Sequence, residues 1–355
     1  MKIQTRRNFI KQAVTAGVMC SVPSYFFAQD KTAQNMIWAN LLHLSYNMWR
    51  DHTTLTHRNP DCNCTTCMEV SAWAVDYRPD LTFDEMMWNT LLKDMAAAGM
   101  NMLVIDLGDA VVYDCHPEIA VRNAWTTEKL RNELKKLRKL GIEPIPKLNF
   151  ATTHGVWLGE YSRMVSTKKY YEVCSNLIHE VIDLFDTPRF FHLGMDEETA
   201  EHQRSRNYVV IRQNDLWWGD LYFFIGEVEK KNVRSWIWSD YAWHHPDVFF
   251  KKMPKSVVQS NWYYGSSFDL NKLENPTKTY VELYHKLEAH GYDQIPTGSN
   301  WSNDTNMEST INYCKDVINP SRLLGFMTAT WRPTLPLCID KHQDAIKQIG
   351  KAIIK

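Results

Sequence analysis

Two adjacent carboxylates, Asp196 and Glu197, directly follow a short apolar stretch that is typical of a buried strand. Neighbouring carboxylates repel each other, so the pKa of one is expected to rise until that group holds a proton near neutral pH. A carboxyl in that state can act as a general acid towards a glycosidic oxygen. The pair therefore predicts acid–base chemistry on a glycan, with a solvated surface pair as the alternative.

Eight apolar stretches alternate with helical patterns, and the carboxylate pair follows the fourth. The capping boxes that begin at Thr82 and Thr305, together with apolar residues at helical spacing, predict the helices. Eight such units predict an α/β fold, a single (β/α)8 TIM barrel over residues 36–355 with long loops after strands 1 and 2. An open doubly wound sheet is the alternative, but the glycine-rich phosphate loop typical of it is missing after the first strand. The predicted strands cover residues 37–44, 101–107, 143–150, 190–195, 234–239, 256–262, 294–300 and 323–330.

The loops that follow the predicted strands are rich in aromatic, amide and carboxylate side chains. In such barrels these loops form the mouth, where the chemistry takes place. Flat aromatic faces stack on the C–H faces of sugar rings, while polar groups bind the hydroxyls, so we predict a carbohydrate substrate. Tryptophans that only fill the barrel interior are the alternative. The predicted binding residues are His192, His154, Asn149, Asp109, Trp157, Trp238, Asp240, Tyr241, Trp262, Tyr263, Trp301, Trp331 and Arg50.

Residues 191–197 (FHLGMDE) resemble the His-x-Gly-x-Asp-Glu signature of the family 20 glycoside hydrolases, the β-N-acetylhexosaminidases. The resemblance implies that Glu197 is the general acid and base. It implies that Asp196 orients the 2-acetamido group of the substrate, which acts as the nucleophile in a retaining mechanism, and that His192 supports the acid pair. Weaker resemblances lie at His154, after strand 3, and in the segment from Trp238 to Asp240, after strand 5.

The sequence departs from the family pattern at several strand ends. Met195 stands where the motif has its second glycine, and the segment Trp331-Arg332-Pro333 lacks the glutamate of the family's Trp-x-Glu. Only Arg50 is available near strand 1, where the family has an arginine that holds sugar hydroxyls. These departures predict a divergent relative whose substrate differs from an ordinary N-acetylhexosamine.

Four cysteines fall in the two long loops: Cys62, Cys64 and Cys67 after strand 1, and Cys115 after strand 2. Three thiolates with a fourth ligand form a tetrahedral zinc site, whereas an oxidising compartment favours disulfides. A glycosidase of this kind requires no cofactor, so a zinc ion bound by these cysteines would be structural. A metal-dependent enzyme that uses this loop is a further alternative.

The N-terminus carries Arg6 and Arg7, followed by an apolar stretch over residues 13–28. This pattern is typical of a Tat export signal, here residues 1–28, and predicts a periplasmic or secreted protein. The stretch is too short to span a membrane, and no second candidate span follows.

The charge balance narrows the choice of partners. Forty Lys and Arg residues against 41 Asp and Glu residues give a net charge of −1, which argues against a nucleic-acid partner. The sequence thus predicts an exported glycoside hydrolase with a carbohydrate substrate, and it assigns no oligomeric state. A glycan-binding barrel without catalysis is the alternative from another functional class.

Overall fold

The computed structural model describes residues 36–53 and 74–354. Within these residues, eight parallel strands form a single curved sheet. The strands are β1 (Ile37–His43), β2 (Met102–Asp106), β3 (Glu143–Lys147), β4 (Phe190–His192), β5 (Arg234–Trp238), β6 (Val258–Ser260), β7 (Thr297–Gly298) and β8 (Gly325–Ala329).

The strand order is β6-β5-β4-β3-β2-β1-β8-β7. Parallel bridges from Gln259 to Gln294 and from Trp262 to Thr297 join β6 to β7 and close the barrel. The predicted (β/α)8 TIM barrel is therefore confirmed.

Helices cover the outside of the barrel and bury their apolar stripes against the strands. In the second helix, for example, Leu130, Leu134 and Leu137 are fully buried while the charged residues between them face water. None of the described helices has the length and apolar character needed to cross a bilayer. The helices of at least seven residues are α1 (Glu85–Ala97), α2 (Thr127–Lys139), α3 (Lys168–Leu184), α4 (Asp215–Glu229), α5 (Pro246–Lys252), α6 (Thr277–Ala289), α7 (Asn306–Val317) and α8 (Ile339–Ile354).

The helix after the first long loop begins later than its capping box predicted. Asp84, not Thr82, is the N-cap: its carboxylate accepts the backbone N–H of Met87 at 2.7 Å. The N–H of Asp84 is itself bonded to the carbonyl of Thr334, which fixes where the helix starts. Aspartate caps as well as threonine does, so the tertiary contact decides between them.

The barrel interior changes character from bottom to mouth. Its lower part is apolar, with Leu41, Val104, Ile145 and Trp236 among its residues. Above it lies a layer that we call the polar floor, formed by four residues paired in register across β1 to β4: His43, Asp106, Lys147 and His192. All four side chains are buried.

Candidate active site

The backbone after β4 turns sharply and ends the strand earlier than predicted, at His192 instead of residue 195. Gly194, Met195 and Glu197 have φ angles of 72°, 75° and 54°, in the left-handed region. A Cβ at position 194 would collide with the side chain of Asn149, so glycine is required there. Left-handed backbone at non-glycine residues is unfavourable and is often found at functional sites.

Hydrogen bonds from neighbouring loops hold this turn. The Oδ1 atom of Asn149 accepts the N–H of Met195 at 3.2 Å. The N–H of Glu197 donates to Asp240 Oδ2 at 2.8 Å, and the hydroxyl of Thr153 donates to the carbonyl oxygen of Glu197 at 2.7 Å. The loops after β3 and β5 therefore fix the backbone of the residue predicted to be the acid.

His154, from the loop after β3, lies between the two carboxylates. Its Nδ1 atom is 3.2 Å from Asp196 Oδ1, and its Nε2 atom is 3.5 Å from Glu197 Oε2. Burial alone would lower the pKa of His154, but the charges of Asp196 and Glu197 raise it to about 9. The ring is therefore an imidazolium at neutral pH, and its positive charge lies beside both carboxyl groups.

The electrostatics of the carboxylates differ from the sequence-based expectation of simple mutual repulsion. Burial alone would raise the pKa of Asp196, but the charge of His154 and the hydrogen bond from Asn149 hold it well below its usual range. The raised pKa belongs to Asp240, where burial and the charge of Asp196 raise it to about 8. In place of repulsion within the predicted pair, a third carboxyl from β5 therefore holds a proton.

The polar floor lies beneath this cluster. Burial alone would raise the pKa of Asp106, but the ammonium group of Lys147, 2.5 Å from Asp106 Oδ2, and the ring of His43 lower it to about 2. His192 remains neutral because burial and the charge of Lys147 lower its pKa. Its Nδ1 atom accepts the N–H of Gly194 at 3.0 Å, so its proton is on Nε2. His192 thus supports the motif through the backbone of Gly194.

His43 and Lys147 are site residues that the sequence-based reasoning missed. The available signal was their position: each is a polar residue at the end of an apolar strand, in register with Asp106. Because strand side chains alternate between two faces, this position at the end of an inward-facing series places them inside the barrel.

Aromatic side chains form the opposite wall. Trp238 and Trp331 lie 5.9 Å apart between ring centroids, and Trp49 meets the ring of His154 edge-on at 4.5 Å. Trp331 has a φ of 53°, and its indole N–H donates to the hydroxyl of Tyr264 at 2.8 Å. Trp262 stacks on Tyr264 with 5.2 Å between centroids. Three predicted tryptophans therefore belong to one wall, together with Trp49 and Tyr264.

Three predicted binding residues are used in packing instead. Trp157 is buried, and its indole N–H donates to the carbonyl of Asn149 at 2.9 Å. Tyr241 stacks on Trp217 of α4 with 3.9 Å between centroids. Tyr263 is also buried, with its hydroxyl bonded to a backbone carbonyl. Proximity to a strand end predicted these rings, but their side chains point into the layer between barrel and helices.

The remaining predicted residues lie around the rim. Arg50 pairs with Asp76 at 2.5 Å. Asp109 accepts hydrogen bonds from Ser45 and Asn47, and burial raises its pKa to about 7. Trp301 is 42% exposed, with the guanidinium of Arg332 3.9 Å above its ring. Among these three residues, Trp301 is the one whose side chain remains accessible to a ligand.

Possible metal ligands fall in two places. Cys62, Cys64 and Cys67 lie outside the described residues. Burial and the neighbouring Glu180 raise the pKa of the Cys115 thiol, which disfavours the thiolate that zinc binding needs. His154, Asp196 and Glu197 each offer a ligand atom, all within 4.8 Å of one another. A cation there would compete with the proton that His154 holds, because only a neutral imidazole binds metal.

Cys174, Cys314 and Cys338 are buried, as is common for free cysteines.

No protein-family model matches the sequence, and no curated protein is similar to it. The structure is similar to that of a GH20 exo-β-N-acetylglucosaminidase from Vibrio harveyi, solved with N-acetylglucosamine: the TM-score is 0.55 at 13% identity, over 88% of this chain and 54% of that one. A GH20 β-N-acetylhexosaminidase from Streptomyces coelicolor gives a TM-score of 0.57 at 10% identity, over 89% of this chain and 65% of that one. Dispersin B gives a TM-score of 0.51 at 15% identity, over 77% of this chain and 94% of that one.

The shared feature is the fold. These identities are too low to transfer an activity, and the chain spans little more than half the length of the Vibrio harveyi enzyme. The comparisons thus support the (β/α)8 barrel fold that the resemblance of residues 191–197 implies. The chemistry has to be argued from the site itself.

Proposed function

We propose that the protein is a glycoside hydrolase that cleaves a glycan at a 2-acetamido sugar by a substrate-assisted, retaining mechanism. The proposal depends on one observation. His154 lies between Asp196 and Glu197, which follow β4, and its ring contacts Trp49 of the aromatic wall. The fold shared with family 20 glycoside hydrolases supports it.

The two carboxylates have environments suited to different roles. Glu197 is the more accessible, with 24% of its side chain exposed, so it can reach a glycosidic oxygen at the mouth. It donates its proton to that oxygen as the bond to the leaving group breaks, and later takes a proton from the attacking water. Glu197 therefore carries its proton again at the end of each catalytic cycle.

Asp196 is buried and ionised, and its Oδ1 atom already accepts a bond from Asn149. It accepts the N–H of the acetamido group while the acetamido oxygen attacks the anomeric carbon. The positive charge that develops on the acetamido group is then stabilised in a site shielded from water. Water opens the cyclic intermediate, and the configuration at the anomeric carbon is retained.

The aromatic wall supports a sugar ligand. Trp262 and Trp331 are partly exposed in this wall, whereas Trp238 is buried beside Trp331, and its Nε1 atom has no hydrogen-bond partner among the described residues. Apolar ring faces beside a few convergent polar groups are typical of sites for small organic ligands.

We also propose that the chain is exported by the Tat pathway to the periplasm or the medium and that the reaction needs no cofactor. Arg6, Arg7 and the apolar stretch that follows support the export signal. The loop cysteines then form a structural zinc site or disulfides. Metal analysis of purified protein, with and without reductant, distinguishes these two states.

The variant Glu197→Gln tests the central assignment. We expect it to reduce hydrolysis of a chromogenic 2-acetamido glycoside about 1000-fold, because general acid–base catalysis is lost. Glu201→Gln is a matched control from the same loop, with a side chain 71% exposed. Wild-type protein should not cleave the corresponding glycoside with a 2-hydroxyl group, which lacks the nucleophile.

Unchanged turnover by Glu197→Gln would remove the proposed acid. A wild-type protein that binds the glycan but cleaves neither glycoside would indicate a glycan-binding barrel without catalysis.

A further inference from the structure

We propose that the exposed imidazole of His202 binds the leaving-group sugar of the glycan, on the solvent side of Glu197. This inference rests on the proposed function, and it assigns a residue that the motif does not include. It implies a substrate in which a second, hydroxyl-bearing sugar follows the cleaved bond.

Glu197 lies between two imidazoles that differ in exposure. His154 Nε2 lies 3.5 Å from Glu197 Oε2 and is buried, whereas His202 Nε2 lies 3.7 Å from Glu197 Oε1 and its side chain is 44% exposed. The acid must face the glycosidic oxygen, with the reacting sugar on the buried side near Asp196. The leaving group then lies on the outer side, where His202 is.

The contacts of His202 leave its Nε2 atom able to offer a proton. The hydroxyl of Thr199 accepts the backbone N–H of His202 at 3.3 Å and lies 2.7 Å from His202 Nδ1. In the tautomer in which this hydroxyl donates to Nδ1, the ring carries its proton on Nε2. The exposed Nε2–H can therefore donate to an oxygen of the leaving group.

The loop that carries His202 is firmly anchored. The buried side chain of Gln203 bonds both backbone groups of Val210 at 2.8 Å and the hydroxyl of Thr152 at 3.1 Å. Arg206 donates to the carbonyl oxygens of Met48 and Thr152 at 2.8 and 2.6 Å, which joins this loop to those after β1 and β3. An anchored donor loses little conformational entropy when it binds a ligand.

A second imidazole, His244 from the loop after β5, extends this outer rim. Burial lowers its pKa, as do the charges of His245 and His202. The imidazole of His244, whose pKa is lowered, can offer hydrogen bonds without a fixed charge. Such a rim suits the hydroxyls of a neutral sugar.

The test compares two substrates with the same 2-acetamido sugar: a β-linked disaccharide and a 4-nitrophenyl glycoside. We expect His202→Ala to lower the ratio of the disaccharide kcat/KM to the aryl glycoside kcat/KM about five- to tenfold, the effect of one hydrogen bond. His202→Gln, whose amide can still donate, should restore most of the ratio. The matched control is His285→Ala, an exposed histidine on α6 that bonds Tyr313.

An unchanged ratio in His202→Ala overturns the inference, even if both rates fall together. A binding measurement keeps the two proposals separate: in the Glu197→Gln protein, His202→Ala should weaken the disaccharide about five- to tenfold relative to the monosaccharide. If wild-type protein cleaves neither substrate, the proposed function fails, and this affinity ratio still decides the role of His202. A protein that binds neither sugar overturns both.

Discussion

The two halves of the barrel mouth differ in chemistry. The half formed by β1 to β4 presents ionisable groups, whereas the half formed by β5 to β8 presents aromatic rings. The first half contains His43, Asp106, Lys147, His154, His192, Asp196 and Glu197, and the second contains Trp238, Trp262, Tyr264 and Trp331. Charged groups set the protonation states of their neighbours, whereas aromatic rings provide an apolar surface. We therefore assign the proposed catalysis to the first half and the proposed sugar binding to the second.

Two side chains cross this division: Trp49, from the loop after β1, belongs to the aromatic wall, and Asp240 connects the two halves from the other side. It comes from the aromatic half, follows β5 directly and accepts the N–H of Glu197. Its raised pKa results from burial and from the charge of Asp196 in the other half. The comparison therefore predicts large effects from changes in the charged half, smaller effects from the rings, and a pH effect where the halves meet.

The largest effect is expected from Lys147→Met. It leaves Asp106 buried and without its ammonium partner, which should lower the free energy of unfolding by about 3–5 kcal/mol. Urea denaturation measures this loss. Lys341→Met, which breaks an exposed ion pair with Asp304, should cost less than about 1 kcal/mol. Equal losses in the two variants would contradict the structural role of the polar floor.

His154→Gln is expected to lower kcat about 100-fold, because the cation beside Asp196 and Glu197 is lost. The pH–rate profile should change as well, since the remaining carboxylates repel each other. Steady-state rates from pH 4 to 9 measure both effects. A lower kcat with an unaltered profile would show that the histidine only maintains the shape of the site.

Trp331→Leu should raise KM about tenfold and change kcat less, since a ring that contacts the sugar contributes to binding in both the ground state and the transition state. Trp331→Phe keeps an aromatic face and should lose less. If kcat falls while KM stays constant, the separation between a catalytic and a binding half is wrong.

The smallest effect is expected between pH 7 and 8. Over this range the folded protein holds protons on His154 and Asp240, with pKa values of about 9 and about 8, that the unfolded chain has released. The free energy of unfolding is therefore larger at lower pH and falls as the pH rises through these two pKa values. Urea midpoints across this range measure the slope, and Asp240→Asn should flatten it. A slope identical to that of the wild type would show that Asp240 titrates normally.

The sequence predicted the fold well because each unit carries its own local signal. The apolar run of β2 and the spacing of Leu130, Leu134 and Leu137 in α2 arise from the periodicities of single elements. The end of β4 was misplaced because the left-handed backbone at Met195 depends on a hydrogen bond to Asn149, 46 residues away. Local patterns contain no information about such a partner.

The same distinction applies to the candidate site. The motif placed Asp196 and Glu197 together, and the residues after strands 3 and 5 included His154 and Asp240. Which carboxyl is charged followed from distances between loops: His154 lies next to Asp196, so the pKa of Asp196 is lowered, while that of buried Asp240 is raised. Trp157 shows the reverse error, because a ring near a strand end turned inwards.

By itself, the amino-acid sequence determined the barrel and the position of the carboxylates in it, since both depend on residue order within short segments. Only the tertiary structure decided the polar floor, the proton on Asp240 and the exposed position of His202. These depend on burial and on charges brought close together by folding, and electrostatic energy depends on distance in space rather than along the chain.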